Sequence, residues 1–550
     1  MNIHFPVFPR KGDLYGGITA GIVALPLALA FGVQSGLGAI AGLYGAIVLG
    51  IIASLFGGTP TQISGPTGPM TVVSASVGMM AIQHAGSLEK GIGMIIIIFF
   101  LAGLFQILFG VLRLGKYIRY IPYPVLSGFM SGIGVIIIIL QLFPMVGLTS
   151  PSSIIKTVGE IPEAITSVSP LALFFGLGTI AIIYLFPLLT KKIPGTLIAV
   201  ILMSALAYLL KSDIPVIGDI KGGLPAIRIS EVLHLQWSQL SYVFFPALTL
   251  AGLGAIDTLL TSVVADNITK TRHNSNRELI GQGIGNMAAS LIGGIPGAGA
   301  TMRTVVNIRS GGTTAWSGLI HGFFLLIILL GAGKLVSHIP LSVLAGILLT
   351  VGISIIDRKG LADIRLIPRS DAVVLILVLI LTVFVDLLQA VGIGMVIASV
   401  LFMKRTGDMV EKNMKVAPLH EADEEMPWDD EVEISNCLKE QIYIVRLDGP
   451  LFFGSVNQFQ YKINSIPAKT DVVVIRMKKV PFIDQSGLYA LESAILDMTE
   501  KKITVLLSMP QPQPAYMMRN NFMIPDLVSE DHVFSTFQGC AERLKDFCQG

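Results

Sequence analysis

Asp257 lies inside the apolar run LTLAGLGAIDTLLTSVV (248–264), where an ionised carboxylate is costly and marks a functional site by default. Thr261 is four residues on, hence on the same helix face. Set opposite the backbone carbonyls of Gly299 and Ala300, a carboxylate and a hydroxyl supply all-oxygen ligands for a hard cation. Sodium fits that description, and a proton on Asp257 would serve the same coupling role. The plainer reading is an aspartate hydrogen-bonded to a neighbouring helix.

Two glycine- and proline-rich segments suggest a seat for the opposite charge. One runs Ser64-Gly65-Pro66-Thr67-Gly68-Pro69-Met70, the other Gly294-Ile295-Pro296-Gly297-Ala298-Gly299-Ala300-Thr301-Met302-Arg303, and each enters a short apolar helix carrying Val-Val. Free N–H groups and a partial positive charge make a helix start an anion seat. Matched interruptions in two halves of a membrane chain are the best sequence pointer to a transport site; the alternative is two kinks that serve helix packing. Arg303 offsets anion charge, faces the cytoplasmic mouth or pairs with Asp257. Asp386 reads as interfacial, and His84, His321 and His338 show no metal spacing. No Walker A run, nucleophile elbow or HExxH sequence is present, so neither an ATP-driven pump nor a hydrolase is indicated, and no cofactor is implied beyond a co-transported ion.

The elements that must hold these residues are membrane spans. The chain has 550 residues, 53% hydrophobic and 13% charged, against about 25% charged in a globular protein. Cutting after Arg405 leaves 24 basic and 14 acidic residues before the cut, a balance of +10, and 14 against 22 after it, a balance of −8. Because the soluble part is acidic, nucleic acid is not an expected partner. Apolar segments occur near 17–33, 39–56, 70–84, 92–112, 124–143, 171–189, 194–210, 242–264, 279–293, 302–309, 315–333, 339–356, 371–388 and 390–404. These are fourteen, with the third and tenth short and broken, seven segments apart. Basic residues gather in alternate connections (Arg10, Lys11, Lys116, Lys191, Lys192, Lys270, Arg272, Arg358 and Lys359 among them), which places both termini in the cytoplasm. The start MNIHFPVFPRKGD lacks signal-peptide order, so insertion is expected to rely on the spans.

Residues 1–405 are therefore expected to form a transmembrane domain, 406–436 an acidic linker (HEADEEMPWDDEVE at its centre), and 437–550 a cytoplasmic α/β domain. QIYIVRL, DVVVIRM and KITVLLS read as its buried strands, with helices near 456–465, 486–500 and 534–547. Cys437, Cys540 and Cys548 form no CxxC pair and suit a reducing compartment.

With these residues in view the chain resembles the SulP anion transporter family over nearly its whole length. The resemblance is carried by PLALAFGVQSGLGAIAGLYGA, by GPTGPM and by the Asp257-to-Thr304 block. The tail resembles a STAS domain through Phe482-Ile483-Asp484-Gln485-Ser486-Gly487. Within the family, GAIDTLLTSVVADNIT, RELIGQGIGN and PGAGATMRTVVNI look most like the BicA-type sodium-dependent bicarbonate transporters. The resemblance implies fourteen segments in a seven-plus-seven inverted repeat, with core and gate domains in an elevator-like motion in a bacterial inner membrane. It assigns sodium to Asp257, Thr261, Gly299, Ala300 and Thr301. The anion falls to Thr67, Gly68, Pro69 and Met70 on one side and Ala300, Thr301, Met302 and Arg303 on the other. It further implies a homodimer with STAS contacts and a regulatory phosphosite at Ser486, which otherwise reads as a helix N-cap. Many members carry glutamine where Leu27 follows Pro26, many have glutamate in place of Asp257, and Arg303 matches an arginine of sulfate-transporting members. Proton-coupled sulfate or dicarboxylate symport and anion exchange are the alternatives, ahead of a channel or a tethered signalling module.

Overall fold

A computed structural model describes residues 9–151, 154–190, 194–218, 227, 240–385, 387–418, 441–467 and 469–549. Asp386, Cys437 and the acidic stretch 420–433 lie outside the described residues. The chain divides into two compact units, Met1–Ala398 and Ser399–Gly550.

Every apolar segment read from the sequence falls on a helix. In order these are α1 (Lys11–Gln34), α2 (Ala39–Phe56), α3 (Gly68–Ala85), α4 (Leu88–Val111), α5 (Tyr123–Met145), α6 (Pro170–Leu189), α7 (Gly195–Leu209), α8 (Leu240–Thr269), α9 (Ser275–Leu291), α10 (Thr301–Arg309), α11 (Ala315–Val336), α12 (Leu341–Ile355), α13 (Arg369–Phe384) and α14 (Leu387–Asn413). Among the described residues seven helices are long and apolar enough to cross a membrane, or eight if Leu341–Ile355 and Arg358–Arg365, bent by 56°, count as one. Of the other segments α7, α9, α10, α12 and α13 have 17 residues or fewer, while α3 and α11 have 18 and 22. Ahead of α3 and α10 a Gly/Pro stretch holds the chain extended, so that the helix begins only at Gly68 or Thr301.

The packing repeats with a shift of seven helices. The pair α1–α11 has its counterpart in α8–α4, α2–α11 in α9–α4, α1–α10 in α8–α3, α1–α2 in α8–α9, and α5–α13 in α12–α6. Two bundles result. Helices α1–α4 pack with α8–α11, and α5–α7 pack with α12 and α13, with fewer contacts from α1 and α3 across to α5, α7 and α12. A cavity of about 470 Å³ lies on this boundary, lined by Gly78 and Ile82 of α3, Gln141 and Pro144 of α5, and Leu344 of α12. At one end of the first bundle, buried Asp13 accepts hydrogen bonds from the backbone N–H groups of Thr313 (2.8 Å) and Thr314 (2.9 Å) and from the Thr314 hydroxyl (2.7 Å). It thereby satisfies donors just ahead of α11.

In the second unit the sheet order is β3 (Lys415–Pro418), β4 (Ile442–Asp448), β5 (Val472–Lys479), β6 (Thr504–Ser508) and β7 (Val533–Phe534). Strand β3 is antiparallel to β4 and the remaining neighbours are parallel. Successive strand residues point to opposite faces. Val445, Leu447, Val473, Ile475 and Leu507 meet Phe459 of α15 (Val456–Asn464) and Leu488 and Leu491 of α16 (Gln485–Glu500). Ile442, Ile444, Val472, Val474 and Leu506 meet Phe537, Cys540 and Leu544 of the last helix, Phe537–Gln549. Two expectations change here. Residues 406–418 are not linker, because α14 continues to Asn413 and buries Val410 and Met414 in this core, and β3 then extends the sheet. Ser486 is not the N-cap of α16. Asp484 is, accepting from Gly487 N at 2.7 Å, while Ser486 is exposed in the first turn.

Candidate functional site

The two Gly/Pro segments cross as a short antiparallel ladder. Strand β1 (Ser64–Gly65) pairs with β2 (Ala298–Gly299) in the register Ser64 with Gly299 and Gly65 with Ala298. The ladder extends into the flanking residues. Ala300 N donates to the Ile63 carbonyl (2.8 Å), and Ile63 N donates to the Thr304 hydroxyl (3.0 Å). Glycine permits the close approach, since a Cβ on Gly297 would overlap the backbone of Gly65.

Both half-helices start from this crossing. Thr67 is the N-cap of α3 and Ala300 that of α10, and neither cap side chain bonds a backbone N–H of its own helix. The first-turn donors of each helix are therefore not taken up by its own cap side chain. Gly68, Pro69 and Met70 are buried. Gly68 faces the other bundle, since a Cβ there would lie 2.9 Å from Ile137 of α5 and 3.0 Å from Ile355 of α12.

Helix α8 brings its polar face to the crossing. The Thr261 hydroxyl donates to the Gly299 carbonyl at 2.9 Å and lies 2.7 Å from the Thr301 hydroxyl, while Gly299 N donates to the Thr258 hydroxyl at 3.1 Å. One turn earlier, buried Asp257 faces the Thr67 hydroxyl and interacts with it, though the two do not make a hydrogen bond of regular geometry. The guanidinium of Arg303 acts electrostatically on Asp257. It bonds the Pro66 carbonyl through Nη2, while its Nη1 is buried and unpartnered. The site thus combines two helix starts, a buried cation, a buried carboxylate, and a Thr261 hydroxyl within hydrogen-bond reach of two further oxygens. Such an assembly can hold a small anion and a hard cation side by side.

Of the residues named from sequence, the fold gathers Thr261, Gly299, Ala300 and Thr301 at β2, with Thr67 to Met70 and Arg303 beside them. Met302 differs. The residue is 64% exposed, outside the buried cluster, because the α10 face that meets β1 is that of Thr304 and Arg303.

Sequence reasoning missed a polar stripe on α9. Glu278, Gln282 and Asn286 are all buried. Asn286 clasps Gly297, accepting from its N–H (2.8 Å) and donating to its carbonyl (3.0 Å), and also donates to Gln106 of α4 (2.7 Å). Gln282 donates to Ser64 of β1. The available signal was polar residues at i, i+4 and i+8 in RELIGQGIGN.

A profile for the sulfate permease family matches residues 11–378, and one for the STAS domain matches residues 434–538. The bicarbonate transporter BicA of a Picosynechococcus strain is 43% identical over 512 residues, covering 90% of this chain and 88% of the relative. A solved structure, the transmembrane domain of a cyanobacterial bicarbonate transporter BicA, is 48% identical and superposes with a TM-score of 0.65, covering 70% of this chain and 98% of that one. The overall structure of SLC26A9 shares the fold at 20% identity, with a TM-score of 0.84 over 98% of this chain and 91% of the other.

Proposed function

The chain belongs to the sulfate permease family and carries a STAS domain, and from that premise we propose that it is a sodium-coupled bicarbonate importer. Its place among secondary transporters follows from the family. The particular anion, the coupling ion and the motion are our reading. The observation that carries it is the Thr261 hydroxyl bridging the Gly299 carbonyl and the Thr301 hydroxyl one turn from Asp257, where two half-helix starts meet.

In this reading the α3 and α10 N-termini hold bicarbonate, through Thr67, Gly68, Pro69 and Met70 on one side and Ala300 and Thr301 on the other. Sodium is held by Asp257, Thr261, Thr301 and the carbonyls of Gly299 and Ala300. Arg303 pins the Pro66 turn and adds positive charge. Each ion lowers the cost of burying the other. One sodium with one bicarbonate is electroneutral, so the membrane potential, worth about 2.3 kcal/mol per charge at 100 mV, adds nothing. The bundle containing the site would slide against the other, exposing the site alternately to each side of a bacterial inner membrane with both termini cytoplasmic. The STAS domain would support a homodimer, with exposed Ser486 as its regulatory phosphosite.

The test is uptake of labelled bicarbonate by proteoliposomes with and without an inward sodium gradient, with sulfate as competitor. Sodium-stimulated uptake that sulfate does not inhibit is expected. Uptake indifferent to sodium would reject the coupling, and sulfate displacing bicarbonate at equal concentration would reject the substrate. The second outcome would favour sulfate symport, for which the buried charge of Arg303 is the supporting feature.

A further inference from the structure

We propose that Glu278 is a positioning residue for the transport site, acting through the reach of its side chain rather than through its charge. Glu278 stands in the first turn of α9, buried. One carboxylate oxygen accepts from the backbone N–H groups of Gly58 (2.7 Å) and Thr59 (2.8 Å), in the segment that leads from α2 to β1. The other accepts from the side-chain amides of Gln62 (2.8 Å) and Gln282 (3.0 Å). Both amides pass the constraint on to the site. Gln282 holds Ser64 of β1. The Gln62 carbonyl oxygen accepts from the Ser262 hydroxyl (3.0 Å), which also lies 2.8 Å from the Thr59 hydroxyl.

Ser262 follows Thr261 directly, so one carboxylate ties β1 to the stretch of α8 that faces β2. The surroundings are shaped to admit it. A Cβ on Gly57 would come within 2.8 Å of its Oε2, and a Cβ on Gly299 would meet the Gln62 amide. Four N–H groups already satisfy the carboxylate, and no cation is needed to hold it. What the position requires is an acceptor at the end of a glutamate-length side chain. Glutamine supplies one to Gly58 and Thr59, and the amides of Gln62 and Gln282 can turn over to accept from its –NH₂. Aspartate keeps the charge but is one methylene short of the α2–β1 segment.

The inference rests on the bicarbonate reading, and the experiment separates the two. Full-length Glu278→Gln, Glu278→Asp and Glu278→Ala chains are reconstituted, and the half-saturating concentrations of bicarbonate and sodium are measured with the thermal midpoint of each chain. The expected result is Glu278→Gln within about 2-fold of the parent for both ions, with Glu278→Asp and Glu278→Ala raised at least about 5-fold. If the glutamine variant is impaired and the aspartate one is not, charge is the property used and the proposal is overturned. Variants that lower the thermal midpoint but leave both half-saturations unchanged would overturn it too. Should the aspartate and alanine chains not fold, Gln62→Ala, which cuts the link to Ser262, is expected to raise the half-saturations in the same direction, and unchanged values reject the proposal. A parent chain whose uptake ignores sodium would sink the coupling alone, leaving Glu278 to be judged on the half-saturation of the transported anion.

Discussion

At Thr261 a single hydroxyl does what a β-branched side chain in a helix ordinarily does not. Threonine there usually bonds the carbonyl one turn back, as Thr249 does with Phe245. Thr261 turns instead to Gly299 and Thr301 on another element. Thr261→Val keeps the shape and removes that oxygen, so it is expected to raise the sodium half-saturation about 10-fold (about 1.4 kcal/mol of binding). Thr261→Ser is expected to stay near the parent, and equal values for all three chains would remove Thr261 from the cation site. A second residue matters for pH. Burial pushes the Cys540 thiol up to about 12, with Arg476 pulling weakly the other way. A thiol that keeps its proton more tightly when folded stabilises the fold below its unfolded pKa, about 8.5 to 9, and that contribution fades as pH climbs towards 12. The Ser399–Gly550 unit should therefore melt at lower temperature as pH rises above 9, and Cys540→Ala should flatten that decline. Parallel pH profiles for the two chains would show that the thiol plays no part.

Among the elements, the half-helices and their crossing were legible in advance because glycine and proline leave few local alternatives. Two Gly/Pro runs leading into apolar helices can do little but delay the helix start inside the membrane unit, and a lone aspartate in an apolar run needs a reason to be there. The α9 stripe was not legible in the same way. Apart from Gly297, its partners on other elements lie about 180 to 220 residues away, and its helix alternates polar residues with glycine, which reads as weak amphipathicity. The boundary near Arg405 was misplaced for a related reason: Val410 and Met414 are single apolar residues whose burial depends on a sheet that forms later in the chain. Asp13 belongs at this scale too. It caps the start of α11 from the first turn of α1 and also accepts from Arg10 N, so Asp13→Ala strands four donors and is expected to cost about 2–3 kcal/mol, read as a lowered thermal midpoint in detergent. Asp13→Asn, with one acceptor left, should lose less. A midpoint unchanged in both would mean that water replaces the carboxylate freely.

For the whole membrane unit, the seven-helix shift in packing places one half-helix from each repeat in the same bundle, joined through β1 and β2. The two proposed ion seats would thus share one backbone crossing, with Ala300 N on the Ile63 carbonyl and Ile63 N on Thr304. A change that moves one seat moves the other. Equilibrium binding to the solubilised chain should show bicarbonate tightening on addition of saturating sodium by about 5- to 150-fold, the usual span of such couplings. Titration calorimetry with each ion alone and in the presence of the other checks it, and a factor of one would mean that the seats are independent. Because binding free energies form a closed cycle, the factor must be the same whichever ion arrives first. In the proposed sodium-coupled cycle, slippage, the passage of bicarbonate without sodium, would then be held down by the same few backbone hydrogen bonds that would let the two ions bind together.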